Sequence, residues 1–293
     1  MKKIKKIAVL AAMSCGFTLA ASPALAVKSD LASVPAPTIT KPYEFPFDYL
    51  KKSSLPSEGK KALAYLKTLT AIEHDSKADG TYNRKAMYGT PWKDTDGNHC
   101  DTRNDILARD FLKGTIDYNK DLKGIQGLNN PSKGKSTCRY ATVYAGVLVD
   151  PYRYGLPDPG PKDKMAYKQY FKHGKVHFNQ VKGASAVQID HVIPLKYHYS
   201  HGGVALQQAG RKDIAQVFAN DPLNLLAVFG PENMKKSDSG PADYLPPTKD
   251  KETQCRYALR VTAVTKKYNP FGFSLAQRDI DATAKSIQTN CLK

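Results

Sequence analysis

Val187-Gln188-Ile189-Asp190-His191-Val192-Ile193-Pro194-Leu195 is the stretch on which the reading of this chain turns. It opens as a short apolar strand and sets an acidic oxygen beside an imidazole. A proline, which cannot donate to a sheet ladder, then stops it. Adjacent residues on a strand point to opposite faces, so for Asp190 and His191 to serve one site the backbone is expected to bend between them. Downstream, residues 204–220 read as helical, Asp221-Pro222 breaks that helix, and Leu223 to Val228 reads as a second strand. Gly230-Pro231-Glu232 then opens a short helix, proline and acid suiting its first turn, and that helix carries Asn233, Lys235 and Lys236. Strand, turn, helical insert, strand and helix make one small module, and the chain as a whole reads as α+β.

Taken together, IDHVIPL, NDPLNLLAV and NMKKSD resemble, in that order, the HNH or ββα-metal endonuclease family. The resemblance is to a secreted branch with Asp-His at the first position and Asn at the last. WKDTDGNHCDTRNDIL upstream and LPP with CRYA downstream extend it over roughly residues 80–260. It implies a ββα-metal catalytic module at about 185–240, embedded in a single mixed domain spanning 48–293. It also implies His191 as general base, Asp190 and Asn233 as ligands of one divalent metal, and Asn224 as the brace of the histidine loop. Residue chemistry agrees. An imidazole suits proton abstraction near neutral pH, and hard cations prefer the oxygens that Asp190 and Asn233 offer. Mg²⁺ is therefore the first expectation, with Mn²⁺ and Ca²⁺ left open. Asn233 stands where the wider family has its third histidine. Arg103, within Asp101-Thr102-Arg103-Asn104-Asp105, is a candidate for holding phosphate, because a guanidinium fork matches that geometry. A buried Arg103–Asp105 pair is the competing structural reading.

The formal charge of the 293-residue chain is +17. Met1 to Ala26 reads as a secretory signal peptide: lysines at 2, 3, 5 and 6, an apolar run from Ile7, and Ala24-Leu25-Ala26 for cleavage. Cleavage there removes four lysines and no acids, leaving +13 on 267 residues, enough for one sizeable core. The expected setting is secreted or periplasmic, with no membrane anchor after cleavage. Such a surplus attracts polyanions, most simply nucleic acid. Lys235, Lys236, Arg256, Lys266 and Lys267 are candidate phosphate contacts, and no base-reading element is evident, so the expected activity is nuclease action on DNA with little sequence preference. RNA remains open as a second substrate. The rival class is a non-catalytic extracellular nucleic-acid-binding or uptake protein, which would have no use for a general base.

Cys100, Cys138, Cys255 and Cys291 remain after cleavage, an even number that reads as disulfides in an exported chain. Three pairings satisfy that count. The order along the chain favours Cys100–Cys138 and Cys255–Cys291, and the family resemblance leans the same way. Residues 27–47 read as an extended leader. Pro56-Ser57-Glu58 opens a helix whose apolar face is Leu63, Leu66, Leu69 and Ile72. Asp94, Asp96, Asn98 and Asp105 fit several offsets of a calcium loop, but its central glycine is His99, so these residues are read as capping turns and opening a helix from about Arg103 to Leu112. Tyr140 to Val149 and Lys175 to Asn179 read as strands of the sheet that carries the catalytic hairpin. His198 and His201 read as loop surface rather than as a metal pair. Further helices are expected from Cys255 and around Ile280 to Ile287.

Overall fold

The computed structural model describes residues 31–41, 43–98, 100–117 and 143–293. The signal-peptide reading and Cys138 lie outside them. Helix α1 runs Leu55–Thr68 with proline in its first turn. Its inward face is Leu55, Gly59, Ala62 and Leu66, so only one of the four expected apolar residues is fully buried. The chain leaves the helix at Leu69, which is extended, and Leu69 therefore never completes the predicted stripe. Gly59 is where α1 meets the end of the chain: a Cβ there would lie 2.9 Å from the Cβ of Cys291.

Two short helices follow, α2 (Arg84–Tyr88) and α3 (Thr102–Asp110). Asn83 caps the first by accepting from Ala86 N, and Asp101 caps the second by accepting from Asn104 N. Asp94 and Asp96 accept from the backbone of Gly97 and Asn98, turn chemistry as expected. Strands β1 (Ala145–Val149), β2 (Phe171–Lys172) and β3 (Lys175–Asn179) make an antiparallel sheet in the order β1-β3-β2. This sheet does not carry the hairpin that bears Asp190 and His191, contrary to the sequence expectation. Asn179 caps a turn of helix at Gln180–Gly183 that lifts the chain off the sheet before the next strand begins.

That strand, β4 (Val187–His191), pairs among the described residues only with β5 (Leu225–Phe229), antiparallel and in register from Val187↔Phe229 to His191↔Leu225. Between them lie α4 (Leu195–His198), α5 (Val204–Gln208) and α6 (Lys212–Asn220), the predicted insert, broken where Gly210 turns at φ +72°. After β5 come α7 (Gly230–Lys236), α8 (Lys251–Tyr268) and α9 (Gln277–Asn290). The module β4–β5–α7 thus has the ββα order, inside an α+β protein.

The β4–β5 ribbon separates two apolar cores. Val187, Ile189, Leu225, Ala227 and Phe229 pack with α3 and the three-stranded sheet. Leu226 and Val228 pack on the other side, with residues of α1, α6, α8 and α9. This alternation is the period-2 geometry of a strand whose two faces are both buried. The segment read as a leader lies along the body: Arg211 donates to Val34 O at 2.6 Å and Lys267 to Thr40 Oγ1 at 2.7 Å. Leu31 is buried in the larger core. Cys255 and Cys291 are joined, with Cα atoms 5.1 Å apart, tying α8 to the end of α9. Cys100 is disulfide-bonded as well, but the partner expected for it is outside the described residues. No helix among the described residues is long and apolar enough to cross a membrane.

Candidate active site

A cavity of about 470 Å³ runs along the open edge of β4 and is lined by Gln188, Ile189, Asp190 and His191, four consecutive strand residues. Tyr82, Arg84, Pro194, Asn233 and Met234 are also part of its lining. The expected bend between Asp190 and His191 is absent, since both remain in register with β5. They lie on opposite faces of the ribbon and meet in one cavity because that cavity wraps the unpaired strand edge.

His191 Nε2 bonds Ala219 O at 2.8 Å. A carbonyl only accepts, so Nε2 carries the proton and Nδ1 keeps its lone pair. Burial pushes the imidazole down to about 3, against the pull of Ala219, so it is neutral in the physiological range. The indole of Trp92 lies near-parallel to it, ring centroids 6.0 Å apart. Trp92 holds a left-handed backbone, φ +62°, uncommon for a bulky residue.

Asn224 fixes the turn after the histidine. Its Oδ1 accepts from Ile193 N at 2.9 Å, its Nδ2 donates to Ile193 O at 3.2 Å, and its carbonyl accepts from Val192 N at 2.8 Å. Residues that sequence reasoning missed hold this brace in turn. Arg109, at the end of α3, donates to Pro222 O at 2.8 Å and to Leu225 O at 2.7 Å. Asp110 beside it accepts from Ala227 N at 2.9 Å. Asp221, the helix breaker of the sequence, caps Leu223 N and accepts from the hydroxyl of Tyr268 at 2.7 Å.

Asp190 is buried within a network that the sequence did not announce. Lys236 donates to its Oδ1 at 3.0 Å and Oδ2 at 2.9 Å, and to His191 O at 2.6 Å. Those three acceptors use all three ammonium protons. Tyr152 donates to Oδ2 at 2.5 Å. Burial raises Asp190 and lowers Lys236, each opposed by the charge of the other. Burial also keeps the Tyr152 hydroxyl protonated, as a donor must be.

Lys236 was expected to meet nucleic acid, and this pairing corrects that expectation. Residues 232 and 236 share a helix face, and in α7 that face is the buried one. Lys235 is on the exposed side. Asn233 is half-buried on the same helix, its Nδ2 on Gln188 Oε1 at 2.9 Å and its Oδ1 without a hydrogen bond among the described residues.

Other expectations are also corrected. Arg103 neither lines the cavity nor pairs with Asp105; its guanidinium points at Val187 O, 3.4 Å away, at the root of β4. Asp105 accepts from Asn98 instead, at 2.9 Å. Arg256 is buried on Glu252 and on Leu50 O, at 2.8 and 2.6 Å, and Lys267 is held by Asp221 at 2.5 Å, so neither is a free phosphate contact. Lys266 is exposed near the Tyr65 ring. His198 is fully buried, stacked on Phe218 at 3.9 Å, because α4 packs inward on α6. His201 is buried against Tyr197.

The donor chemistry can be tested against a divalent ion. No group of three or more His, Cys, Asp or Glu is assembled as a metal site among the described residues. Asp190 Oδ2 has two donors and is saturated, whereas Oδ1 has one and keeps a lone pair. With the unused Oδ1 of Asn233, that gives two hard oxygen donors on one cavity, a set that fits a hard cation completing its shell with water and phosphate.

Comparison with known proteins adds one match. A family profile described as "GmrSD restriction endonucleases, C-terminal domain" matches residues 97–279. No curated protein and no solved structure matches the chain.

Proposed function

The chain belongs to the family of the GmrSD restriction endonuclease C-terminal domain, and on that premise we propose that it is an HNH-type nuclease hydrolysing phosphodiester bonds of DNA, with RNA as a further substrate to be tested. The observation that carries this reading is the orientation of His191: Nε2 is tied to Ala219 O, and the imidazole lines an open cavity with its other nitrogen unprotonated. From there Nδ1 takes the proton of the attacking water, a role open to an imidazole that is neutral and oriented at the working pH. Ala219 O stabilises the imidazolium that results, as an acceptor already in place. Asn224 holds the turn so that ring position survives the change of charge. Asp190 and Asn233 would hold one divalent cation, Mg²⁺ first, which when bound neutralises charge on the phosphate. The Lys236 ammonium opposes the rise that burial imposes on Asp190 and holds its carboxylate in place beside the base.

Weak sequence preference belongs to the same proposal. It is supported by the charge surplus, since phosphate contacts attract any sequence alike. An oxidising, exported setting is supported by the Cys255–Cys291 bond and the signal-like first 26 residues. The test uses purified oxidised protein on plasmid and on RNA, with Mg²⁺, Mn²⁺, Ca²⁺ or chelator. His191→Ala should lower cleavage by at least about 10²-fold, within the usual range for a general base, while DNA binding persists. Equal cleavage by His191→Ala would refute the assignment, and a wild type inert with every ion would leave a binding protein.

A further inference from the structure

Each cation expected to meet phosphate from the sequence, apart from the exposed Lys235 and Lys266, is committed elsewhere in the fold. Two others line the cavity itself. Lys196 is paired with Asp238 at 2.8 Å. Arg84 is different. It is exposed at the first position of α2, lines the cavity with Asp190, His191 and Asn233, and has no hydrogen bond or ion pair among the described residues. Its charge nevertheless reaches the imidazole, being one of the influences that lower His191.

The backbone that bears Arg84 is also anchored. Asn83 caps α2 at its start, and at its end Met87 and Tyr88 are buried. The Tyr88 hydroxyl donates at 2.8 Å to the carbonyl of Leu195, the last residue of the stretch that carries Asp190 and His191. The helix bearing Arg84 is therefore bolted to the catalytic turn. An exposed arginine held at the mouth of a site, with its five donors unspent, is arranged to receive a planar anion.

We infer that Arg84 grips the phosphate being cleaved, its guanidinium on the non-bridging oxygens while His191 faces the attacking water. The inference rests on the nuclease reading above, but Arg84 lies upstream of the family match, so membership alone assigns it nothing. Hydrolysis adds charge to those oxygens as the water attacks, and a fixed cation stabilises the transition state more than the bound substrate.

The experiment compares wild type, Arg84→Ala, Arg84→Lys and Lys85→Ala, the last an exposed neighbour outside the cavity. Each is assayed on duplex DNA and on thymidine 5′-(p-nitrophenyl phosphate), a diester too small to reach beyond the cavity. Calorimetry with thymidine 3′,5′-bisphosphate measures binding without turnover. Arg84→Ala should lose about 10²-fold in kcat/KM on both substrates, the usual cost of removing one transition-state donor. It should also bind the bisphosphate at least about tenfold more weakly, the loss of one charge-assisted contact. Arg84→Lys should recover part of each loss, Lys85→Ala should lose nothing on the small diester, and melting temperatures should agree throughout. A loss on DNA that spares the small diester would overturn the inference, making Arg84 a remote attractor of polyanions. Unchanged rates on both substrates would overturn it as well. If wild type cuts neither substrate, the nuclease reading fails by itself, and the bisphosphate decides on Arg84: weaker binding by Arg84→Ala sustains the grip, and equal binding ends it.

Discussion

Among the described residues, Asp190 and Lys236 form an ion pair only with each other, at 2.9 Å in the centre of the site. Removing one partner strands a buried charge, whereas removing both does not. Lys236→Met and Asp190→Asn should therefore each destabilise the protein, the former by about 3–5 kcal/mol. Their combination should cost less than the sum of the two. Urea denaturation of the four proteins in this cycle checks the coupling, and strict additivity would show that the pair is not an energetic unit. The adjacent lysines Lys235 and Lys236 illustrate why residue identity alone misleads here. Neighbours on a helix point about 100° apart, so one faces solvent and the other is locked against Asp190 of β4.

At the scale of elements, much of the module could be read in advance. The strand at 187–191, the break at Asp221-Pro222, the second strand and the helix with Asn233 all follow from periodicity and from proline placement. The brace made by Asn224 followed from family resemblance, and its bonds to Ile193 are seen directly. What stayed hidden was long-range. Arg109 and Asp110 reach β5, and Arg84 reaches the cavity, across more than a hundred positions, and Tyr152 reaches Asp190 across 38, separations that no local pattern encodes. His198 was misplaced for the same reason, since its burial depends on α6 packing over it. One junction gives a test at this scale. Gly230 joins β5 to α7, and a Cβ there would lie 2.1 Å from Ser185 O. Gly230→Ala should shift α7 and with it Asn233, costing about 1–3 kcal/mol as overpacking and lowering cleavage at saturating DNA. A variant that keeps wild-type melting and activity would show that the junction has slack.

For the whole molecule, the Cys255–Cys291 bond closes a loop of 36 positions. In the chain-entropy picture its loss should cost about 3–4 kcal/mol, read as a lower denaturation midpoint for the Cys255→Ala, Cys291→Ala double variant. Global stability should also vary with pH through Asp150. This carboxylate is buried, accepts from Phe229 N and Arg153 N, and is raised to about 6, chiefly by burial. Its folded value exceeds its unfolded one, so the folded state binds more protons between about pH 4 and 6 and stability from this group falls as pH rises through that window. The loss amounts to roughly 3 kcal/mol at 1.4 kcal/mol per unit, and Asp150→Asn should flatten that part of the stability profile. The ribbon between two cores has a consequence for how such an enzyme changes over generations. Asp190 is rooted on the face shared with Leu226 and Val228, and His191 on the face shared with Ile189 and Phe229. Mutations accumulating in one core thus bear first on the acid, and those in the other on the base. On the roles proposed above for Asp190 and His191, ion affinity and turnover would be separately heritable traits, so a lineage could adapt one to a new environment while drift leaves the other where selection last set it.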